Sequence, residues 1–598
     1  MAKFKLPVKV AVLSSAPLSL FLVTFALAYP GRANFPFSAF PVRSSFVAHA
    51  DSPGVPHSLP SASKGNLPIT DLSEEEAILH ALNRLGYGPR PGDIERVRKM
   101  GLQNWIDLQL HPERIDDSAL AARLQDYPSL RMSMAKLVED YPTPEMAAKR
   151  LHVPVEEYRK QLADLAKLPA GQRGAADKQP QRIAEELQMA KLVRAIYSER
   201  QLEERLVDFW FNHFNVFVYK DNERYLLTSY ERDVLRPRML GKFGDLLTAT
   251  AESPAMLRYL DNWLSADPRA FERQKHKPRV PPRYRVAKPS VPLGGKRGLN
   301  ENYGRELLEL HTLGVDGGYT QQDVIAVARC FTGWTLRTPN ENAEFYFDDR
   351  IHDPDKKKVL GKKIHAGGIR DGQEVLKLLV HHASTARFIS TKLARQFVSD
   401  APPAELVARM ARTFQKTEGD IRAVLETMIY SPEFWSRDAY RAKVKRPFEL
   451  VVSTARALGA DVDAPLPLVN WVARIGEPLY QCQPPTGYSD HAEAWVNTGA
   501  LLNRLNFAVA LASNHVRGAR VDLASLVGTD VARNPQQALE RAVEEFLCGQ
   551  VSSQTRATLE QQSGNPRVLR ATLDDPVKQV DLGILAGLVL GSPEFQRR

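Results

Sequence analysis

The stretch RIAEELQMAKLVRAIYSERQLEERLVDFWFNHF, residues 182–214, places apolar side chains at intervals of three and four residues. That interval is the period of an α-helix that buries one face. The stretch DGQEVLKLLVHHASTARFISTKLARQFV, residues 371–398, has the same pattern, and strand patterns are sparse elsewhere. The sequence therefore predicts a mainly α, multi-helix globular protein.

Helix boundaries are marked by capping residues. Ser73 followed by Glu76 forms a capping box, and Thr320 followed by Asp323 predicts a second helix start. The best strand signal is EFYFDDRIHDPDKKKVLGKKI, residues 344–364, where an aromatic run, an Asp/Pro/Lys turn and a return predict one small β-hairpin.

The N-terminus carries the pattern of an export signal. Lys3, Lys5 and Lys9 precede an uncharged run, residues 10–29. We expect residues 1–34 to act as an export signal, and cleavage could follow residue 28 or residue 50. Alternatively, the segment is an uncleaved anchor, because twenty uncharged residues also reach across a bilayer. The expected location is the periplasm or the extracellular space, with membrane contact only through this segment if it is uncleaved.

The length of 598 residues allows two to four domains. Residues 35–69 lack periodicity and are predicted to be a linker. Residues 70–460 are predicted to form the main helical domain, and residues 461–598 a C-terminal helical region packed on it. The three cysteines permit at most one disulfide, and no Cys-x-x-Cys pair is present.

The net charge of +10 is concentrated in one proline-rich insert, residues 266–297. From Arg269 to Arg297 ten Lys or Arg stand against one acid, Glu272. The insert is interpreted either as a solvated loop or as a surface that attracts acidic polysaccharide or anionic headgroups. Nucleic acid is not an expected partner, because few aromatic side chains interleave with these charges and export is predicted.

The stretch LNENYGRELLELHTLG, residues 299–314, concentrates polar side chains on one short predicted helix. At 100° per residue, Asn302, Glu306 and Glu309 share one face. His311 lies at the border of a separate apolar stripe. Two carboxylates thus share a face on which neither has an obvious partner.

The functional interpretation makes Glu306, Glu309 and His213 catalytic, because carboxylates held close in a partly dry cleft have separated pKa values. In a metal-dependent form, His213, Glu306, His352 and Asp353 bind a divalent cation. Such a mixed ligand set suits zinc, manganese or iron better than calcium. The implied activity is metal-dependent hydrolysis.

The structural interpretation is a buried ion-pair network, since buried charges occur only when they are paired. Arg305 lies four residues from both Glu301 and Glu309, and Asn302 would complete the network. In this interpretation the polar helix is purely structural, and the protein is a non-enzymatic scaffold that partners another exported protein. In the functional interpretation the candidate binding residues of the polar pocket are Asn302, Arg305, His311, His352 and Asp353. No Gly-x-Ser-x-Gly elbow or phosphate-binding glycine loop is present in the sequence.

Several segments resemble, in the same order, the bacterial domain-of-unknown-function 1800 family. The resemblance runs from about Leu79 to about Leu511. Its segments are HALNRLGYGPRPGDIERV (80–97), LVDFWFNHFNVF (206–217), LLTATAESPAMLRYLDN (246–262), GLNENYGRELLELHTLGVDGGYTQQDVIAVARCFTGW (298–334), HDPDKKKVLGKKI (352–364), KLARQFVSDAPP (392–403) and LLNRLNFAVAL (501–511).

The resemblance implies an exported helical protein, and it names no reaction. Genes of this family often lie beside genes for an exported family related to sulfatases and alkaline phosphatases, so a partner of that kind is expected. The chain departs from the family pattern in its basic insert and in Gly487-Tyr488, where the family tends to have Gly-Trp.

Overall fold

The computed structural model describes residues 66–169, 171–270, 272, 298–365, 367–528, 530–565, 568–570 and 579–598. Over these ranges the chain is mainly α-helical with small antiparallel strand pairs, which confirms the predicted fold class. The predicted export segment, most of the predicted linker and nearly all of the basic insert lie outside the described residues. None of the helices in the described ranges has the length and apolar composition that a bilayer crossing requires.

The helices before the insert follow one another with short connections. They are α1 (Glu74–Arg84), α2 (Asp93–Met100), α3 (Leu102–Leu110), α4 (Ser118–Arg123), α5 (Met134–Asp140), α6 (Pro144–Leu151), α7 (Val155–Leu165), α8 (Gln181–Tyr197), α9 (Gln201–His213), α10 (Leu227–Ser229), α11 (Phe243–Ala251) and α12 (Pro254–Tyr259). The opening sequence stretch is therefore two helices, α8 and α9, with a break at residues 198–200.

The helices after the insert include the polar segment singled out from the sequence. They are α13 (Glu301–Glu306), α14 (Gln321–Cys330), α15 (Ile369–Val380), α16 (Ala383–Phe397), α17 (Ala404–Lys416), α18 (Ile421–Ile429), α19 (Pro447–Ala457), α20 (Leu466–Ile475), α21 (Thr498–Ala512), α22 (Leu523–Val527), α23 (Pro535–Leu547), α24 (Ser553–Ser563), α25 (Leu582–Leu590) and α26 (Pro593–Gln596). Two π-helices, Tyr230–Leu235 and Leu307–Thr312, continue α10 and α13.

Short 3₁₀ turns connect many of these helices. They are Pro112–Arg114, Leu124–Asp126, Pro128–Arg131, Gly174–Ala176, Glu223–Tyr225, Arg236–Arg238, Asn262–Leu264, Ala492–Trp495 and Asp530–Arg533. Both predicted capping boxes are present, because Ser73 accepts a hydrogen bond from the backbone N–H of Glu76 and Thr320 accepts one from that of Asp323.

The strands form separate antiparallel pairs. They are β1 (Trp334–Arg337) with β2 (Glu344–Phe347), β3 (Lys357–Val359) with β4 (Lys362–Ile364), β5 (Asp461–Val462) with β6 (Ala519–Arg520), and β7 (Leu569–Arg570) with β8 (Gln579–Val580).

The single hairpin expected at residues 344–364 is corrected to two. The aromatic strand β2 pairs in antiparallel orientation with β1, which precedes it in the chain, and Trp334 lies opposite Phe347. Strands β3 and β4 are joined by Leu360 and Gly361, which both have positive φ angles, 47° and 79°. Two successive residues of this conformation make the tight turn that favours a two-residue hairpin. The loop between the two hairpins carries His352 and Asp353.

One apolar core extends from Leu72 to Phe595 and draws on helices from both ends of the chain. The proposed division at residue 460 stays a prediction. Near the C-terminus α25 packs closely on α21, because glycines spaced four residues apart face it. A Cβ atom on Gly587 would lie 2.5 Å from the Cα atom of Val509, and one on Gly583 would lie 2.8 Å from that of Ser513. This close packing fixes the position of α26, which follows directly.

A buried carboxylate, Glu449, joins three distant parts of the chain. It lies in the first turn of α19 and is 1% exposed. Its oxygens accept hydrogen bonds from Nη1 of Arg205 at 2.7 Å and from Nε of Arg598 at 2.9 Å. Burial alone would raise the pKa of Glu449, but the Arg205 and Arg598 guanidinium groups hold it well below its ordinary value of 4.5. Helix α9, which carries His213, is thereby attached to α19 and to the C-terminal residues.

We expect Glu449→Gln to lower the free energy of unfolding by about 3–5 kcal/mol, because two buried guanidinium groups lose their counter-charge. Since the folded-state pKa is depressed, the carboxylate stabilises the fold fully above about pH 4.5 and progressively less as pH falls through the folded pKa. Urea unfolding at pH 7 and pH 4 measures both effects. The matched control is Glu540→Gln on an exposed face of α23, expected within about 0.5 kcal/mol of wild type; an equal effect of the two variants would contradict the prediction.

Candidate functional site

The segment that carries Glu306 and Glu309 begins at a well-fixed helix cap. Asn300 accepts a hydrogen bond from the backbone N–H of Asn302 at 2.9 Å, and its amide donates to the backbone oxygen of Leu260 at 2.8 Å. Asn302 itself is exposed. The segment continues as α13 and then widens into the π-helix Leu307–Thr312. The uniform 100° step assumed from the sequence therefore fails after Glu306, because a π turn contains more residues than an α turn.

Arg305 does not neutralise Glu306 and Glu309, which we call the carboxylate pair. Its guanidinium donates to Oε1 of Gln321 at 2.9 Å and lies 3.7 Å from Oε2 of Glu301, on an exposed part of the helix. Within the described ranges neither member of the carboxylate pair has an ion-pair partner closer than 4.0 Å. The Arg305–Glu309 half of the expected network is therefore not formed.

The two members of the carboxylate pair have different surroundings. Burial raises the pKa of Glu306 above its ordinary value of 4.5, the charge of Glu309 raises it further, and Arg305 opposes both effects. Glu309 accepts a hydrogen bond from the Tyr319 hydroxyl at 3.0 Å. Glu306 is half-buried and accepts no hydrogen bond from the part of the chain that the structure describes. Its carboxyl group therefore remains available to a further partner.

Glu306 also acts on a tyrosine that contacts the loop of residues 478–490, which we call the clamp loop. The phenol of Tyr259 donates to the backbone oxygen of Gln483 in this loop at 2.6 Å. Burial raises the pKa of Tyr259, and the charges of Cys482 and Glu306 raise it further. The electrostatic effect of Glu306 thus reaches a tyrosine that holds the clamp loop.

Two asparagines beside His213 fix the clamp loop to α9. The side chain of Asn212 pairs with the backbone of Tyr488 through two hydrogen bonds of 2.9 and 2.7 Å. Asn215 donates to the backbone oxygens of Cys482 and Pro484. Gly487 has a φ angle of 71°, and a Cβ atom there would lie 2.3 Å from the backbone oxygen of Asn212. This close approach explains why a glycine precedes Tyr488.

His213 and His311, which we call the histidine pair, are buried side by side. Nε2 of His213 lies 3.2 Å from the backbone oxygen of His311, and the two rings are 6.2 Å apart. Nδ1 of His213 is buried without a hydrogen-bond partner in the described structure. The rings of Trp210 and Phe214 pack against His213 from α9 and its C-terminal end. The histidine pair therefore lies in an aromatic core next to the carboxylate segment.

Burial keeps the histidine pair neutral. Burial lowers the pKa of His311 to about 3, and Lys392 contributes in the same direction. Burial also lowers the pKa of His213 well below its ordinary value of 6.5, again with help from Lys392. Lys392 lies 3.6 Å from Asp490 at the end of the clamp loop. The histidine pair is thus neutral in the fold, and the charge of Lys392 acts on both imidazoles.

His352 and Asp353 lie in a different group of buried charges. This group, which we call the 352–353 cluster, consists of Arg329, His352, Asp353, Lys357 and Asp371. Arg329 donates to both oxygens of Asp353 at 2.7 and 3.2 Å, and Lys357 Nζ lies 2.6 Å from Oδ2 of Asp371. Nε2 of His352 lies 3.2 Å from the same Asp371 oxygen. Burial would raise the pKa of Asp353, but its hydrogen bond to Arg329 lowers it. The polar groups of this cluster satisfy one another.

The structure therefore brings together some of the residues selected from the sequence and separates others. Glu306, Glu309, His311 and His213 belong to one region, whereas His352 and Asp353 contact Asp371 and Arg329 in the 352–353 cluster. In the described ranges no group of three His, Cys, Asp or Glu side chains is arranged to hold a metal ion. His213, Glu306, His352 and Asp353 consequently do not fit a single metal site, because Asp353 is held by Arg329 and His213 faces a backbone carbonyl.

Sequence analysis missed the residues that join the carboxylate pair to its surroundings. Tyr319 follows two glycines directly before the predicted helix start at Thr320, and Tyr259 lies in an apolar helix. Asn212 and Asn215 flank His213, and this Asn-His-x-Asn pattern was the one available signal. The free thiols Cys330, Cys482 and Cys548 form no disulfide with one another.

We expect His311→Phe to make stability less dependent on pH between about 6.5 and 4. In wild type the unfolded imidazole gains a proton below pH 6.5, whereas the folded one stays neutral down to about pH 3, so acidification destabilises the fold. Removing this group should reduce the pH slope of the unfolding free energy by up to about 1.4 kcal/mol per unit. Urea unfolding across this pH range measures the slope. The exposed His381→Phe serves as control, and an unchanged slope in His311→Phe would contradict the prediction.

A family model described as "Protein of unknown function (DUF1800)" matches residues 80–597. This range includes the carboxylate pair, the histidine pair, the clamp loop and the 352–353 cluster, and it extends beyond Leu511, where the sequence resemblance was expected to end. No curated protein matches the chain, and no solved structure matches it either. Because the matched range covers most of the chain, the protein belongs to the DUF1800 family.

Proposed function

We propose that the protein is an exported enzyme that catalyses hydrolysis by proton transfer through Glu306 and Glu309. The observation that carries the proposal is the carboxylate pair itself, two neighbouring acids of which neither is neutralised by a cation in the described structure. Structural ion-pair networks pair their acids with bases, as the 352–353 cluster does. A pair of acids without a base is instead the arrangement that separates two carboxyl pKa values for acid–base chemistry.

The two carboxyl groups take different roles in this proposal. Glu306, whose pKa is raised by burial and by Glu309, retains its proton closer to neutral pH and donates it to the leaving group. Glu309 accepts a proton from the attacking water, and the Tyr319 hydroxyl fixes its orientation. The proton gained by Glu309 and the one lost by Glu306 are exchanged with solvent before the next cycle. No step in this scheme is assigned to a metal ion.

The second candidate function is a non-enzymatic scaffold that binds another exported protein, of the sulfatase or phosphatase type implied by the family resemblance. The burial of the histidine pair favours it, since these imidazoles are enclosed by aromatic side chains and are neutral. In this alternative Glu306 and Glu309 only help to hold the clamp loop. The two candidates differ in what happens when the carboxylates are replaced by amides.

We expect Glu306→Gln and Glu309→Gln to fold normally and to lose about 10²–10⁴-fold in hydrolytic rate, the usual contribution of a positioned acid or base. Their free energies of unfolding should stay within about 1 kcal/mol of wild type, because no buried ion pair is broken. The measurements are urea unfolding and a screen of p-nitrophenyl esters, phosphates, sulfates and glycosides.

Glu301→Gln is the matched control, because Glu301 lies on the same helix but contacts Arg305 and Gln321 at the surface. It should retain full activity. A loss of several kcal/mol of stability in Glu306→Gln or Glu309→Gln would favour the scaffold. Unchanged hydrolysis in both variants would contradict the acid–base roles.

Export is part of the proposal and rests on the basic and apolar pattern of residues 1–34. We expect the protein to be recovered from the periplasmic or extracellular fraction of a bacterial host, with its N-terminus at residue 29 or residue 51. Cell fractionation followed by N-terminal sequencing measures this. An uncleaved chain in the membrane fraction would indicate the anchor, and an uncleaved chain in the cytoplasm would contradict export.

A further inference from the structure

A cavity of about 210 Å³ lies between the two ends of the chain, away from the carboxylate pair. Its walls come from α1, the turn before α2, the second half of α19 and the residues that precede it, the end of α23 and α26. It is lined by charged side chains of both signs, including Lys445, Arg441, Glu544, Glu545 and Glu594. Clefts between separate parts of a structure are common places for small ligands.

Lys445 is an unusual residue in the wall of this cavity, because a lysine side chain is rarely buried. It is 4% exposed, and its ammonium group has no hydrogen-bond acceptor among the described residues. Its closest partner is the face of the Phe595 ring, with Nζ 3.9 Å from the ring centroid. A buried amine normally has an acceptor, because the cost of removing it from water is otherwise uncompensated. A cation–π contact provides only part of that compensation.

The backbone holds Lys445 and Phe595 in this arrangement. The N–H of Lys445 donates to the oxygen of Gln596 at 2.9 Å, and Lys443 and Arg598 exchange backbone hydrogen bonds of 3.2 and 2.8 Å. The oxygen of Lys445 accepts a hydrogen bond from Arg504 at 2.8 Å. The amine is therefore fixed against the cavity wall by the pairing of two distant segments.

The surroundings of Lys445 also change its chemistry. Burial lowers the pKa of Lys445 to about 7, and the positive charge of Arg441 lowers it further. A substantial fraction of the amine is then unprotonated near neutral pH, which makes it nucleophilic. In contrast, burial raises the pKa of the neighbouring Cys548 thiol to about 12, so this thiol is unreactive.

Glu594 provides a carboxylate with one unpartnered oxygen, opposite in charge to the Lys445 ammonium group. Its Oε1 accepts a hydrogen bond from the backbone N–H of Ser552 at 3.1 Å, while its Oε2 is buried with no partner in the described part of the chain. A buried carboxylate oxygen without a donor is costly, and a ligand that supplies one would remove that cost. The same cavity thus lacks an acceptor for Lys445 and a donor for Glu594.

We propose that this cavity binds a small zwitterion of amino-acid or dipeptide size, whose carboxylate contacts Lys445 and whose ammonium group contacts Glu594. The Lys445 ammonium group and the unpartnered oxygen of Glu594 define the class of ligand, and the cavity volume limits the size of the ligand. A volume of 210 Å³ corresponds to about seven water molecules at roughly 30 Å³ each. Ligand binding at this site does not depend on the function proposed for Glu306 and Glu309.

Chemical labelling tests whether Lys445 is accessible and reactive. Cyanate is small, and its conjugate acid, isocyanic acid, reacts with unprotonated amines. The amine N–H adds across the C=N bond of isocyanic acid, which gives a carbamylated lysine. At pH 7.5 we expect Lys445 to be carbamylated about tenfold or more faster than the exposed Lys99, as measured by peptide mass spectrometry. Millimolar glycylglycine should protect Lys445 and leave Lys99 unaffected. Labelling of Lys445 at the same rate with and without glycylglycine would overturn the proposal.

Direct binding tests the class of ligand. Isothermal titration with glycylglycine, propionate and ethylamine should give measurable binding for the zwitterion and at least tenfold weaker binding for the two singly charged probes. Lys445→Met and Glu594→Gln should each weaken glycylglycine binding at least tenfold, while Lys99→Met should not. Equal binding of propionate and glycylglycine would remove Glu594 from the site, and no binding of any probe would overturn the proposal. The labelling experiment on wild type remains decisive if a variant fails to fold.

Discussion

The buried ion pairs of Glu449 with Arg205 and Arg598 connect helix α9, helix α19 and the C-terminal residues. Arg205 lies on α9, whose C-terminal end carries Asn212 and His213. Arg598 lies in the segment that pairs with residues 443–445. The carboxylate of Glu449 therefore helps to position both the clamp loop and the cavity around Lys445. Such a group is costly to desolvate, so it contributes mainly by fixing where these segments meet.

Local patterns in the sequence predicted local structure well. The helical period and the caps at Ser73 and Thr320 depend on residues three or four positions apart, and the structure confirms them. The hairpin expected at 344–364 failed because β2 pairs with a strand that precedes it, and the sequence shows no mark of that pairing. The uniform helical period assumed beyond Glu306 was wrong for a related reason, because a π-helix has no simple sequence signature.

The candidate site was only partly predictable, since its electrostatics depend on distant residues. The proximity of Glu306 and Glu309 follows from their spacing, but Tyr259 and Lys392 reach the site from separate helices. His352 and Asp353 looked like ligands because they are adjacent and polar. Their partners Arg329 and Asp371 lie about twenty residues away on either side, and only the fold shows that they satisfy each other. The same holds for Lys445, whose environment comes from Arg441, Arg504 and Phe595.

The π-helix Leu307–Thr312 has a consequence for how the chain tolerates changes in length. A π turn holds about one residue more than an α turn, so loss of a single residue here would let the segment become a regular α-helix without breaking either neighbouring element. The helix after the deletion would keep nearly the same orientation relative to α13, because five α residues turn the chain about as far as six π residues. Glu309 lies inside this segment, so its side chain would shift relative to Glu306 and to Tyr319. A one-residue gap in this segment would thus leave a relative with the same fold and an altered carboxylate pair.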